Sequence, residues 1–213
     1  MENILIIGAG GNAKGIVDIL VELNPKINIL FLENDATKIN KFFYGYSVIS
    51  ENTFENDNTY SEYKNFIVGV GATSASQNVI RRKIYNKFTE LGLKPITVIH
   101  KSCIVSPTTK IGQGTVVMAG AIIQSDAHIG DNVIINTGVQ IDHDSKISNH
   151  VHICPCATIT GDVAVGENVL IGAGATIIQS INIEDSVTVG AGSVVLNDVQ
   201  KNTAVAGNPA KAI

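Results

Sequence analysis

The stretch of this sequence most suggestive of chemistry is Asp142-His143-Asp144, a histidine between two carboxylates. Neighbouring carboxylates orient an imidazole and favour its charged form, which suits a general base. Eighteen residues further on lies Thr160-Gly161-Asp162. In a chain that completes one coil every eighteen residues, the Gly161 amide falls about one strand spacing, roughly 4.8 Å, from His143. Such a pairing is what acyl transfer needs: one group takes a proton while the other stabilises a developing oxyanion. The plain alternative is a solvated histidine on a tolerant corner.

Two further constellations stand out. Gly8-Ala9-Gly10-Gly11-Asn12-Ala13 follows the apolar run Ile4 to Ile7 and opens a helical pattern from Lys14 to Leu23. A turn of this kind lets phosphate approach the backbone and places it at a helix N-terminus, where free amides and the dipole favour an anion. Glu33 and Asn34 end the next strand, where a dinucleotide site would keep its ribose acid. A nucleotide-type ligand is therefore expected. NAD fits the fingerprint, but the unit is too short for a second mononucleotide half, and a purely structural turn is the remaining alternative. The other constellation, His150-x-His152-x-Cys154-x-Cys156, has the look of a metal site. It crosses a corner before Ile153, so the four side chains are expected to diverge as packing and corner residues, and no metal is expected.

These residues need elements to position them, and the repeat supplies most of them. From Ile99 in steps of six, through Val105, Ile111 and Val117 to Val189 and Val195, every position is Ile or Val. Four residues after many of these comes a small or β-branched residue, such as Ala121, Val133, Val139, Ala157 or Val169. Gly112, Gly130, Gly166, Gly172 and Gly190 follow the aliphatic position directly, where a corner is expected to need permissive backbone. The pattern predicts a three-sided parallel coil over residues 99–213. Residues 1–98 predict a Rossmann-like parallel-sheet unit: strands at Ile4–Ile7, Ile29–Leu32 and Phe66–Val70, a polar loop over Glu51–Glu62, and a helix over Ala75–Leu91 stopped by Gly92.

Composition agrees. Aromatics make up 5% of the chain and Trp is absent, so the filling falls to Ile, Val, Ala and Gly in many small, regular positions. A net charge of −4 without a Lys/Arg run argues against nucleic acid and acidic membranes as partners. Met1-Glu2-Asn3 has no positive n-region and no run is long enough to span a bilayer, so a cytoplasmic location is expected. Three cysteines are an odd number and are expected to be free thiols.

At this point a family resemblance enters. Gly8 to Lys14, Ile99-His100-Lys101-Ser102, Asn136-Thr137-Gly138, Ile141 to Asp144, Val151-His152-Ile153 with Pro155, and Gly207-Asn208-Pro209-Ala210 occur in one family's order. The chain resembles the sugar acetyltransferases that include sialic acid O-acetyltransferases and the bacillosamine-pathway UDP-amino-sugar N-acetyltransferase. The resemblance implies a left-handed β-helix, a homotrimer and acetyl-CoA as cosubstrate. It also implies His143 as base, Asp144 as its orienter and Gly161 as oxyanion donor. Asn136 would contact the sugar, with His152, Gly161 and Ala173 along the acetyl-CoA. Gly8, Gly10, Gly11, Asn12, Glu33, Asn34 and Gly71 would hold the nucleotide. His143 and His152 lie half a coil apart, so they would meet only across a subunit boundary. Two departures stand out: Asn12 where the family often has His, and Cys156 where it often has Gly. The expected reaction is N-acetylation of a nucleotide-linked, UDP-type 4-amino-4,6-dideoxy sugar. The alternatives are sialic-acid-type O-acetylation and a non-catalytic trimer that binds nucleotide sugar.

Overall fold

The computed structural model describes residues 3–57 and 60–213. The reading of Met1 and Glu2 lies outside these, as do Asn58 and Thr59 of the expected polar loop. The first unit is built on β1 (Asn3–Ile7), whose residues Ile4 to Ile7 are almost wholly buried, as the middle strand of a parallel sheet requires. It pairs in parallel with β2 (Asn28–Glu33) on one side and with β5 (Asn65–Val68) on the other. The chain therefore leaves β1 in one direction and returns to its opposite side. That reversal opens a crevice at the strand's C-terminal end, where α/β sheets bind ligands.

Helix α1 (Gly11–Leu23) starts earlier than the Lys14 expected from the pattern, so the glycine turn runs straight into it. It buries Ala13, Ile16, Val17, Ile19 and Leu20, one stripe at helical spacing. Helix α3 (Ala75–Glu90) follows β5, and Gly92 adopts φ +82 just beyond its end. Three elements between β2 and β5 were not foreseen. β3 (Phe42–Phe43) and β4 (Tyr46–Ser50) form a hairpin, with β4 adding to β2 in parallel, and α2 (Glu51–Asn56) occupies the start of the supposed loop. Ser50 accepts a hydrogen bond from Thr53 N–H at 2.9 Å, an N-cap that makes this polar segment helical. β6 (Lys94–Pro95) ends the sheet beside β5, and Val98–Ile99 already belongs to the coil.

The coil has three faces of short parallel strands. The first runs from Val98–Ile99 through Ile134–Ile135, His152–Ile153 and Thr188–Val189 to Ala204–Ala206, closed by an antiparallel strand at Lys211–Ala212. The second runs from Ile104–Val105 through Gln140–Ile141 to Val194–Val195, and the third from Lys110–Ile111 through Lys146–Ile147 to Asn182–Ile183. Up to Val194–Val195 each strand pairs with the one eighteen residues on, as the repeat predicted; the last parallel pairing of the first face, Thr188 with Ala204, is two residues shorter. The inward Ile and Val, with Ala121, Val133, Val139, Ala157 and Val169, form one continuous core.

The glycines need a different explanation from the one expected. From Ile111 to Val189, left-handed backbone falls three residues after each inward aliphatic. It is occupied by Gly120, Gly138, Cys156, Gly174 and Gly192 at the corner after the first face, and by Asp126, Asp144, Asp162 and Ser180 after the second. Asn132, His150 and Asn168 take it after the third. Gly112, Gly130 and Gly166 do not turn the chain. A Cβ there would lie 2.3 to 2.5 Å from the Asp131, Asn149 and Asp185 side chains of the next coil, so these glycines permit close stacking.

The two units share a seam. Val98, Val116 and Met118 of the first face belong to the same apolar cluster as Ile16, Val17 and Leu20 of α1. Asn78 Nδ2 on α3 donates to Val169 O at 2.9 Å, and Ala75 N–H donates to Thr188 Oγ1 at 3.1 Å.

Candidate active site

His143 stands on the corner after the second face, exposed, two residues beyond the inward Ile141. Its Nδ1 is 2.8 Å from Asp144 Oδ2, and its own amide donates to Asp142 Oδ1 at 2.8 Å. The Asp144 hydrogen bond, with the Asp142 charge behind it, holds the imidazole pKa above its ordinary value. With the proton on Nδ1 directed at Asp144, Nε2 carries the lone pair that a base uses. Left-handed φ at Asp144 (+61) turns the chain immediately after the ring.

Gly161 lies directly under this ring in the next coil. A Cβ there would approach His143 Cε1 to 2.7 Å and Nε2 to 2.8 Å, so only glycine leaves the imidazole its place. Gly161 O accepts from Ser180 N–H at 3.0 Å, while its own N–H has no acceptor among the described residues. A lone-pair-bearing imidazole thus sits against an unused backbone donor. A small hollow of about 130 Å³ on the adjoining second face is lined by Ile122, Gln140, Asp142, Thr158 and Thr160.

The second cluster lies at the seam. A cleft of about 480 Å³ brings together Gly11, Asn12, Gly71, Asn136 and His152. Gly10 and Gly11 face open space, since a Cβ on either would meet nothing within 4 Å. Gly8 instead adopts φ +96 and packs against Val70, which a Cβ would approach to 2.5 Å. Asn12 Nδ2 reaches Gly69 O at 3.4 Å. Glu33 accepts from Ala9 N–H at 3.1 Å, from the Asn34 and Asp35 amides, and from Lys38 Nζ at 3.2 Å. Partial burial pushes its pKa up, but these donors outweigh burial and hold it below the usual carboxylate range. Asn34 Nδ2 donates to Glu51 at 3.0 Å. Ala173 is exposed on the corner after the first face, where its carbonyl accepts from Gly192 N–H.

The His/Cys run separates as its corner crossing implies. His152 points from the first face into the seam. His150 turns the preceding corner and stacks edge-on with Tyr85 at 5.6 Å between centroids, its Nδ1 3.0 Å from Asn132 Nδ2. Cys154 is half-buried, its thiol pushed up to about 11 by burial, and Cys156 is exposed on a left-handed corner. Among the described residues no group of three or more His, Cys, Asp or Glu could hold a metal ion. Sequence reasoning missed Ala72, Thr73, Gln77, Met118 and Thr137, which also line the cleft. Thr137 lay within the quoted Asn136-Thr137-Gly138 and Ala72 beside Gly71, whereas Gln77 and Met118 adjoined no motif.

Comparison with known proteins gives the family of both units. The model of the PglD N-terminal domain matches residues 3–88, and that of the bacterial transferase hexapeptide (six repeats) matches residues 108–143 and 144–179. The acetyltransferase domain of PglB from Neisseria gonorrhoeae FA1090 is 36% identical, with all of both chains covered and a TM-score of 0.90. The chain belongs to the hexapeptide-repeat sugar acetyltransferases. PerB from Caulobacter crescentus, solved with CoA and GDP-perosamine, is 31% identical over 100% of this chain and 98% of its own, at a TM-score of 0.89. WeeI from Acinetobacter baumannii AYE, at 22% identity and a TM-score of 0.90, shares the fold. No curated protein sequence matches the chain. The coil is the left-handed parallel β-helix of this family.

Proposed function

We propose that this protein transfers the acetyl group of acetyl-CoA to the amine of a nucleotide-linked amino sugar, with a UDP-linked 4-amino-4,6-dideoxy sugar as the acceptor. The observation that carries the reading is His143, held by Asp144 and lying in register on Gly161. The acceptor nitrogen attacks the thioester carbonyl carbon while His143 Nε2 takes its proton. The carbonyl oxygen becomes an oxyanion, to which Gly161 N–H donates. Collapse breaks the C–S bond, CoA leaves as thiolate and takes the proton from His143, and the products are an amide and CoA. PglB and PerB, bound to acetyl-CoA and to CoA with GDP-perosamine respectively, support the class of donor and acceptor.

The seam cleft, with the glycine turn at α1, serves the nucleotide in this reading, and Asn136 the sugar. Gly10, Gly11 and Asn12 would face the phosphates; Glu33 and Asn34 would lie toward the ribose or base. His152 and Ala173 would flank the acetyl-CoA. Asn136 and His143 occupy opposite edges of the second face, so a complete site calls for a neighbouring protomer. The outward column of that face favours this, since Ile104 is 65% exposed and Ile122 half-buried, whereas the third face presents Lys110, His128 and Lys146. A homotrimer follows, with the binding unit in residues 1–98 and the transferase coil in residues 99–213. The chain would act in the cytoplasm, where acetyl-CoA is available.

Steady-state inhibition tests the acceptor. UDP should compete with the nucleotide sugar but not with acetyl-CoA, and more strongly than GDP or dTDP. The free amino sugar should be at least ~10²-fold poorer as a substrate, because remote binding positions the amine. If UDP has no effect and free sialic acid is acetylated with comparable efficiency, O-acetylation replaces this reading.

A further inference from the structure

Arg81 is the largest fully buried side chain described in this protein, with no exposed surface, and among the described residues no carboxylate forms an ion pair with it. An isolated buried charge is expensive, and it survives only when its hydrogen bonds are met. They are met by polar groups of both units. Nε donates to Val70 O at 2.9 Å in the loop after β5. Nη2 donates to Asn132 O at 3.1 Å and Oδ1 at 3.0 Å on a left-handed corner of the coil, and Nη1 lies 3.4 Å from Asn78 Oδ1. Arg81 therefore clamps residue 70 of the loop to the coil.

Two residues beyond Val70, Ala72 N–H donates to His152 Nδ1 at 3.3 Å. A ring nitrogen that accepts is unprotonated, so the neutral His152 ring carries its hydrogen on Nε2. Nε2 lies 3.4 Å from Asn136 Nδ2. Asn136 Oδ1 is already engaged by Thr137 N–H at 2.8 Å, which leaves the Asn136 amino group on the histidine side. Two donors thus stand side by side, and neither satisfies the other. His152 is only 6% exposed, and both residues line the cleft beside Gly11, Asn12 and Gly71.

We propose that Arg81 is a positioning residue of this cleft: by fixing the 70–72 loop it holds His152 as an Nε2–H donor that, with Asn136 Nδ2, cradles one oxygen of the bound ligand. The ligand atom is an acceptor, such as a hydroxyl, carbonyl or phosphate oxygen, and not an amine. Burial, and after it the Arg81 charge, pull the His152 pKa down to about 4, so the donor stays neutral throughout the working range. Arg81 is the one charged group acting on His152 among the described residues; Ala72 and Asn136 are its remaining polar neighbours.

The proposal rests on the acetyltransferase reading only for what the ligand is. Its first test therefore uses the wild-type protein without substrate. Imidazole ¹⁵N spectra, with His152 assigned by its loss in His152→Gln, should show one neutral Nε2–H tautomer from pH 5.5 to 8. An Nδ1–H tautomer, or titration at the ordinary imidazole pH, overturns the proposal. In Arg81→Met the His152 pKa should rise toward the ordinary value and the tautomers should mix. The KM of the substrate whose oxygen the pair cradles, the nucleotide sugar at Asn136 or acetyl-CoA at His152, should rise roughly tenfold, the scale of one lost hydrogen bond, with the KM of the other little changed. Arg81→Lys should recover part of both effects. A folded Arg81→Met with an unaltered His152 spectrum overturns the role of Arg81. A wild-type spectrum as expected in a protein that fails to acetylate any nucleotide sugar removes the functional reading and leaves the cradle standing.

Discussion

At the scale of single residues, the contrast among the histidines is chemical. His143 is exposed and its pKa is raised, by the Asp144 hydrogen bond first and the Asp142 charge second. His150 and His152 are buried and pulled down to about 4. A base must be neutral, so kcat/KM should rise with pH through a midpoint above the usual imidazole value and then level off. Asp144→Asn should move that midpoint downward, because the leading cause of the shift is removed, and should lower the plateau because the ring loses its orientation. His143→Ala should lower kcat by roughly 10²–10⁴, the range for a general base, with little change in acceptor affinity. A pH–rate profile on the three proteins reads all of this. An unshifted midpoint in Asp144→Asn would mean that another group titrates.

At the scale of elements, the coil was legible in the sequence because its unit is six residues long and repeats without interruption, so Ile or Val recurs in phase from residue 99 to 195. The register that puts Gly161 under His143 followed from the same count. The glycine-turn helix was legible too. The hairpin of β3 and β4 was not, because Phe42-Phe43 is too short to show alternation and Phe42 is largely exposed. Helix α2 was hidden because it buries no residue, leaving no apolar stripe to find. The seam was hidden for another reason: nothing in the spacing of Arg81 tells that it meets Asn132. The glycine columns were seen and misattributed, and their true role can be checked. Gly130→Ala would place a Cβ 2.5 Å from Asn149 Oδ1 and 2.8 Å from its backbone nitrogen, so the coils must part. A loss of roughly 1–3 kcal/mol is expected from the shift in the denaturation midpoint. Gly161→Ala should instead displace the His143 ring and lower kcat while the fold survives, as circular dichroism would show.

At the scale of the whole molecule, the seam makes stability depend on acid. His150 and His152 are both neutral at the junction, and their folded pKa values of about 4 lie below the unfolded value near 6.5. Their contribution is complete above the unfolded value. It is lost as pH falls from about 6.5 toward 4, by up to about 1.4 kcal/mol per pH unit for each histidine. His150→Gln should flatten that slope, measured by urea unfolding across this range, and an unchanged slope would place the acid sensitivity elsewhere. The second face carries the complementary prediction about assembly. If the proposed trimer forms through this face, Ile122→Arg should weaken it and activity together while the coil persists, and sedimentation at micromolar concentration checks it. A wild-type monomer with full activity would overturn the composite site.

The seam also bears on how the ladder of strands begins and ends. Val98 and Val116 belong to the core beneath α1, so the first rungs of the coil rest on the N-terminal unit. From Val116–Val117 to Val194–Val195 each later strand lies parallel to the one eighteen residues behind it. A ladder of this kind needs its end covered, for a bare parallel edge would accept strands from any chain. The antiparallel strand Lys211–Ala212, laid against Val205–Ala206, covers it by turning the last edge against the direction of the ladder.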